Sequence, residues 1–241
     1  MILRGHRSED TTVVGLIVSA IRRDISFGVL VPDAKLKIDG LRTSYGGSNH
    51  SIREALRVLA AEGLVEAEAQ RGFRVASATE YDLQDIARMR LEIEVIGLNW
   101  SIEKGDVAWE STVVAAHHRL NRLEAVVAEN PSDLNALEWD EAVRSFYATL
   151  VAACESPRLI EAQQKYFDQS RRIRLAALRE GRLDFARRPA RRQILVDAVL
   201  RRETDGIRAL LSADIEAELN GEHTVQQDET KATPEETHDK F

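Results

Sequence analysis

Between Ser48 and Arg57, one helical turn after another carries the side chains that read nucleic acid. Ile52, Ala55, Leu56 and Leu59 recur at i, i+3, i+4, i+7 and claim one face of a helix. Asn49, His50, Ser51, Arg53 and Arg57 are left on the outward face. An asparagine amide pairs bidentately with adenine, a guanidinium pairs with guanine or a phosphate, and serine and histidine offer further donors and acceptors. Ser48 is a good N-cap, and the free N–H groups of the first turn favour a phosphate oxygen. Arg42 in the preceding segment joins the set. So do Arg71 and Gly72, at the tip of a hairpin suited to entering a minor groove or touching backbone. The competing reading makes Arg53 and Arg57 a solvated face paired with Glu54 and Glu62.

A second set lies far along the chain. Arg192 shares a stripe with Leu195, Val196 and Val199, and Asp214 shares one with Ile207, Leu210 and Leu211. A charge on an apolar face is costly unless paired or solvated. Two readings stay open: a ligand site, or an interhelical ion pair between these two residues. Residues 158–202 hold 13 Lys/Arg against 5 Asp/Glu, either a basin for an anion or exposed faces paired with acids elsewhere. His117, on a stripe with Val113, Val114 and Leu120, reads as a core histidine. Trp100, Trp109 and Trp139 read as packing residues, and Cys154, with no candidate partner, as structural.

These residues need elements to hold them. Val14, Ile17, Val18, Ile21 and Ile25 predict a first helix ending before Gly28. A short helix follows over 38–45, stopped by Gly46-Gly47, and then the helix opened by Ser48 and ended by Gly63. Leu64–Ala67 and Phe73–Ala76 read as two strands of a hairpin. Helix, helix, tight turn, helix, hairpin is the order of a winged helix-turn-helix. Beyond residue 77, glycines thin out and long stretches rich in Leu, Ala, Arg and Glu predict a bundle. One long helix starts at Thr79 and carries two apolar stripes; others fit 110–128, 133–154, 157–179, 188–201 and 205–219. The expected fold is mainly α: a winged helix-turn-helix over 1–77, an all-helical domain over 78–220, and a disordered acidic tail over 221–241.

Composition narrows the function. The 241 residues carry a net charge of −7, yet residues 1–76 hold 11 Lys/Arg against 9 Asp/Glu, and a local positive region suffices for DNA. The longest nearly apolar run is far short of a membrane span, the start lacks a signal peptide's apolar core, and a single cysteine suits a reducing cytosol. The expected location is cytoplasmic, with no membrane partner. An enzyme acting on an anionic substrate, with the winged helix as an accessory, is the alternative. Against it, the chain has no Gly-x-x-x-x-Gly-Lys, no Gly-x-Gly-x-x-Gly and no carboxylate pair spaced for acid/base work.

The run Ile21-Arg22-x-x-Ile25-x-x-Gly28-x-Leu30-x-Pro32, then Leu36, Leu41 and Gly46, then Ser51-Ile52-Arg53-Glu54-Ala55-Leu56-Arg57, Glu62-Gly63-Leu64-Val65 and Arg71-Gly72-Phe73-Arg74-Val75 resembles the GntR family of bacterial transcription regulators. The helical part, with Arg90-x-x-x-Glu94 and the stretch Tyr166 to Arg172, resembles the FadR-like (FCD) effector domain. The resemblance implies a homodimer that binds a palindromic, double-stranded operator, commonly as a repressor, and lets go when a small carboxylate effector binds the helical domain. Arg53 matches the family's usual DNA-contacting arginine, whereas Asn49 and His50 depart from the family's pattern and alter the expected operator sequence. Many FCD domains hold a divalent metal through four positions that fall here on Val143, Tyr147, Arg192 and Asp214. None of the four is histidine, so the expectation is a lost metal site and no cofactor. The guanidinium of Arg192 then supplies the positive charge, with Tyr147, Arg90, Arg172 and Asp214 completing an effector site.

Overall fold

The computed structural model describes residues 12–68 and 72–220. Two helix–loop patterns meet in it, each around its own apolar core. The N-terminal part runs α1 (Val13–Ser26), β1 (Lys35–Leu36), α2 (Ile38–Tyr45), α3 (Asn49–Ala61), β2 (Val65–Glu68) and β3 (Gly72–Val75). Ile17, Val18, Ile21 and Ile25 of α1 pack on Ile52, Ala55, Leu56 and Leu59 of α3, with Leu36, Leu41, Leu64, Val65 and Val75 closing the core. The sheet is antiparallel in the order β1-β3-β2, with Val65 opposite Val75, Ala67 opposite Phe73 and Leu36 opposite Phe73. β1 was not anticipated; two residues carry no periodicity of their own, and they become a strand only by pairing with β3. Arg71 and the segment 221–241 lie outside the described residues.

The turn between α2 and α3 shows why glycine stands there. Gly47 has φ +82°, a left-handed conformation, and a Cβ on it would lie 2.8 Å from Ile17 Cδ1. The chain therefore doubles back tightly against α1, and Ser48 caps α3 by accepting a hydrogen bond from the Ser51 N–H at 3.1 Å.

The C-terminal part is α4 (Glu80–Lys104), α5 (Val107–Glu129), α6 (Asp133–Leu150), α7 (Pro157–Gln169), α8 (Arg171–Arg179), α9 (Arg188–Leu200) and α10 (Ile207–Asn220). Capping fixes their starts: a reciprocal box between Thr79 and Asp82 opens α4, and Asp106, Ser132 and Ser156 cap α5, α6 and α7. α5 and α6 form a long hairpin, and α4 packs against α7 and α10. The core includes Leu98, Val113, Leu120, Trp139, Val143, Phe146, Phe167, Leu195 and Leu211, and it takes in Phe27 from just beyond α1.

Three expectations need correction. The single helix foreseen over 157–179 is two helices, broken at Ser170, whose hydroxyl donates 2.7 Å to the Phe167 carbonyl; such back-bonding bends a helix without proline or glycine. The helix foreseen to 154 stops at Leu150, its last turn tightened by three-residue hydrogen bonds such as Cys154 N–H to Val151 O. Trp100 is 41% exposed on α4 rather than packed, whereas Trp109 and Trp139 are buried.

Candidate functional site

α3 rests its apolar stripe on α1 and turns the opposite face outward. Ser48, Asn49, His50, Arg53 and Arg57 are exposed, Ser51 is half-buried, and Arg42 is exposed in the last turn of α2 nearby in sequence. Ser48 and Ser51 share a hydroxyl–hydroxyl contact of 3.0 Å as part of the cap. Arg57 pairs with Glu54 along the helix, as the competing reading expected of it. Glu62 instead pairs with Arg22 of α1, at 2.5 Å. Arg53 and Arg42 have no ion pair among the described residues, so their guanidiniums stand in solvent without a carboxylate. Gly72, at φ +98°, is exposed at the start of β3. The outward face thus offers amide, imidazole, hydroxyl and guanidinium groups around the N-terminus of one helix, a geometry suited to a major groove.

The second set is buried and far more extensive than its sequence signal. Arg90 of α4 donates to Glu94 at 2.8 Å and to Glu218 of α10 at 2.5 Å, with its guanidinium 4.3 Å from the centre of the Phe167 ring and 4.9 Å from that of Tyr147. Arg192 and Arg188 of α9 both reach Glu124 of α5, the latter at 3.0 Å. Arg174 of α8 donates to Asp140 at 2.8 Å and to the Ser170 hydroxyl at 2.5 Å. Burial disfavours the Arg90 cation, but Glu218 and Glu94 more than offset it and its pKa is raised; Glu218, although buried, is held below the ordinary carboxylate range by Arg90, Arg174 and Arg188. Burial pushes Glu94 the other way, upward.

Arg192 and Asp214 are not partners. Arg192 faces α5, whereas Asp214 accepts the Tyr147 hydroxyl at 2.8 Å and pairs with Arg191. The structure therefore brings Arg90 and Tyr147 together, joins Tyr147 to Asp214, and sets Arg192 beside Glu124. Arg172 is elsewhere: it donates to the Ala76 carbonyl at 3.1 Å and to the Ser77 carbonyl, on the segment leading into α4. The basic segment 158–202 divides, with Arg174, Arg188 and Arg192 buried and Arg187, Arg201 and Arg202 exposed. Sequence reading named Glu94 only as part of a motif with Arg90, and it singled out none of Arg174, Arg188, Glu124, Asp140 and Glu218. Several donors and acceptors in this network carry no hydrogen bond among the described residues, including Arg90 Nη2, Arg188 Nη1, Arg192 Nε and Glu218 Oε1.

The residues at the four metal positions do not fit a cation. Val143 is buried and has no donor atom, and Arg192 is a permanent cation engaged by Glu124. Burial, then the charge of Asp214, hold the Tyr147 phenol well above its ordinary pKa, so it stays neutral. Asp214 alone of the four offers an anionic ligand.

The two sets are joined mechanically. Gln169, next to the Ser170 that both Arg90 and Arg174 touch, donates at 3.2 Å to the carbonyl of Glu62, the residue capping the C-terminus of α3. A side chain at Gly63 would collide with Gln169, Cβ to Nε2 being 1.9 Å.

A model of bacterial regulatory proteins of the gntR family matches residues 15–75, and a model of the FCD domain matches residues 85–217. The chain belongs to the GntR family, FadR-like subfamily. It is 33% identical over 208 residues to the HTH-type transcriptional regulator BphR of Paraburkholderia xenovorans, covering 83% of this chain and 81% of the relative. It is 35% identical over 187 residues to the HTH-type transcriptional repressor GlaR of Escherichia coli, covering 76% and 84%. The solved structure of E. coli McbR/YncC superposes with a TM-score of 0.67 over 87% of this chain and 96% of that one; at 18% identity the likeness is one of fold. This GntR/FCD chain is thus a DNA-binding transcription regulator, which sets aside the reading of its helical part as an enzyme. Among the described residues no helix is long and apolar enough to cross a membrane.

Proposed function

We propose that this regulator is a repressor that binds a palindromic operator as a homodimer through α3 and lets go when a small organic carboxylate enters the arginine network of the bundle, without a metal. The observation that carries the reading is the combination, among the described residues, of an outward Arg53 on α3 that has no ion pair with buried guanidinium donors in the bundle that have no protein acceptor. A carboxylate satisfies such donors bidentately. Arg90, Arg188, Arg192 and Tyr147 are the residues assigned to it, and Glu124 and Glu218 are the groups it competes with. That GlaR is named a repressor supports the direction of control.

Release follows as a population shift. Two recognition helices must stand about one DNA turn apart, roughly 34 Å or a multiple of it, to engage both half-sites. Exchanging Glu218 for a ligand carboxylate at Arg90 alters what holds Ser170, and the neighbouring Gln169 carries the change to the end of α3. The test is reciprocity. The factor by which a carboxylate weakens binding to the protein's own upstream duplex must equal the factor by which that duplex weakens binding of the carboxylate. Independence of the two refutes the coupling. Elemental analysis of protein purified without chelator checks the donor argument, and stoichiometric zinc, nickel or manganese would overturn it.

A further inference from the structure

A cavity of about 480 Å³ opens between the DNA-binding part and the bundle, away from the arginine network just described. Ile25 and Phe27 line it from the DNA-binding side, and Leu83, Ile173 and Leu219 line it from α4, α8 and α10. Three arginines also face it: Arg172, Arg179 and Arg182. Two of them, Arg172 and Arg179, are bonded unusually for this chain, in which most arginines meet a carboxylate. Arg172 is half-buried and spends its hydrogen bonds on the carbonyls of Ala76 and Ser77, leaving its Nε without a partner among the described residues. Arg179 donates at 2.5 Å to the Phe27 carbonyl and lies 4.5 Å from the centre of the Phe27 ring. Two carboxylates line the cavity as well: Glu180 is neutralised by Arg182 at 2.5 Å, and Glu80 accepts from Gln84. The balance is an apolar chamber with two guanidiniums that no carboxylate touches among the described residues. Clefts of this size and character at domain boundaries are where small ligands bind.

We propose that this junction is a second ligand site, distinct from the arginine network, and that it takes a compact aromatic monocarboxylate, ring against Phe27, Leu83 and Ile173, carboxylate toward Arg172 and Arg179. A molecule seated there touches both halves of the chain and fixes the angle at which α3 is presented.

Isothermal titration of the full-length protein with 2-naphthoate, and with uncharged 2-naphthamide, tests it. The expected result is one naphthoate per chain, with the amide at least tenfold weaker. Ala176→Phe fills the chamber and abolishes binding. Arg179→Gln, at an exposed position and checked by a thermal melt for the loss of its bond to the Phe27 carbonyl, weakens naphthoate at least fivefold and leaves the amide within twofold, and it decides the matter should Ala176→Phe fail to fold. Tyr147→Phe, in the bundle's own network, leaves naphthoate binding as in the wild type. Absence of binding, equal binding of acid and amide, indifference to Arg179→Gln, or loss in Tyr147→Phe but not in Ala176→Phe would each overturn the site, and none of these results bears on the reciprocity test above.

Discussion

Replacing Arg53 by alanine separates DNA recognition from stability more cleanly than any other change on α3. Arg53 is exposed and has no ion pair among the described residues, so folding should move by no more than about 0.5 kcal/mol. If its guanidinium meets a guanine edge, each half-site loses about 1–3 kcal/mol, and the proposed dimer on a palindrome loses about twice that. Arg57 is the internal control. It is already held by Glu54 in an exposed pair of the kind worth about 0.2–1 kcal/mol, and in a phosphate-contacting role its loss weakens all duplexes alike and lowers the salt slope by about one charge. Fluorescence anisotropy on the protein's own upstream duplex and on a scrambled duplex, at two salt concentrations and beside a thermal melt, reads all of this. Arg53→Ala should abolish the preference for the native duplex, whereas Arg57→Ala should preserve it at reduced affinity. An Arg53→Ala protein that melts as the wild type does and binds within threefold of it would refute the assignment.

Glu124→Gln leaves the buried guanidiniums of Arg188 and Arg192 without their shared anion, and urea unfolding should show a loss of about 3–5 kcal/mol; a loss below about 1 kcal/mol would contradict the pairing. Gly47→Ala places a side chain at φ +82°, costing about 1–2 kcal/mol on melting, and loosens the turn that aims α3, so operator affinity falls with it. His117 is held below its ordinary pKa by burial first and by the charge of Arg192 second. The unfolded chain therefore takes up this proton more readily than the folded one. The stability tied to His117 is present above the unfolded value of about 6.5 and is lost as the pH falls below it. Urea midpoints at pH 7.5 and 5.5 should converge in His117→Gln relative to the wild type, and an unchanged pH dependence would count against this origin.

Local signals were legible and tertiary ones were not. The bounds of α2 and the cap at Ser48 follow from neighbours a few residues apart, and sequence reading places them correctly; the start of the long helix, read at Thr79, falls one residue later, with Thr79 as its cap. The outward face of α3 is legible for the same reason, because subtracting one apolar stripe leaves only one other face. The break at Ser170 carries no proline or glycine, and depends on a hydroxyl turning back to Phe167. The buried network is harder still. Arg192 betrays itself by apolar neighbours, but Arg188 stands among arginines and looks exposed. Its partners Glu124 and Glu218 belong to α5 and α10, and Glu218 lies 128 residues from Arg90. Only folding brings such charges together.

The grip of the bundle on the DNA-binding half has one more property. Gln169, Arg172 and Arg179 reach across to four residues, and each time they take a main-chain oxygen: those of Glu62, Ala76, Ser77 and Phe27. Main-chain oxygens are the same whatever side chain they accompany. Asn49, His50 and Arg53, the residues proposed to read DNA, can therefore be exchanged for others without loosening this joint, so a new operator preference can arise while the proposed coupling to the bundle is inherited intact.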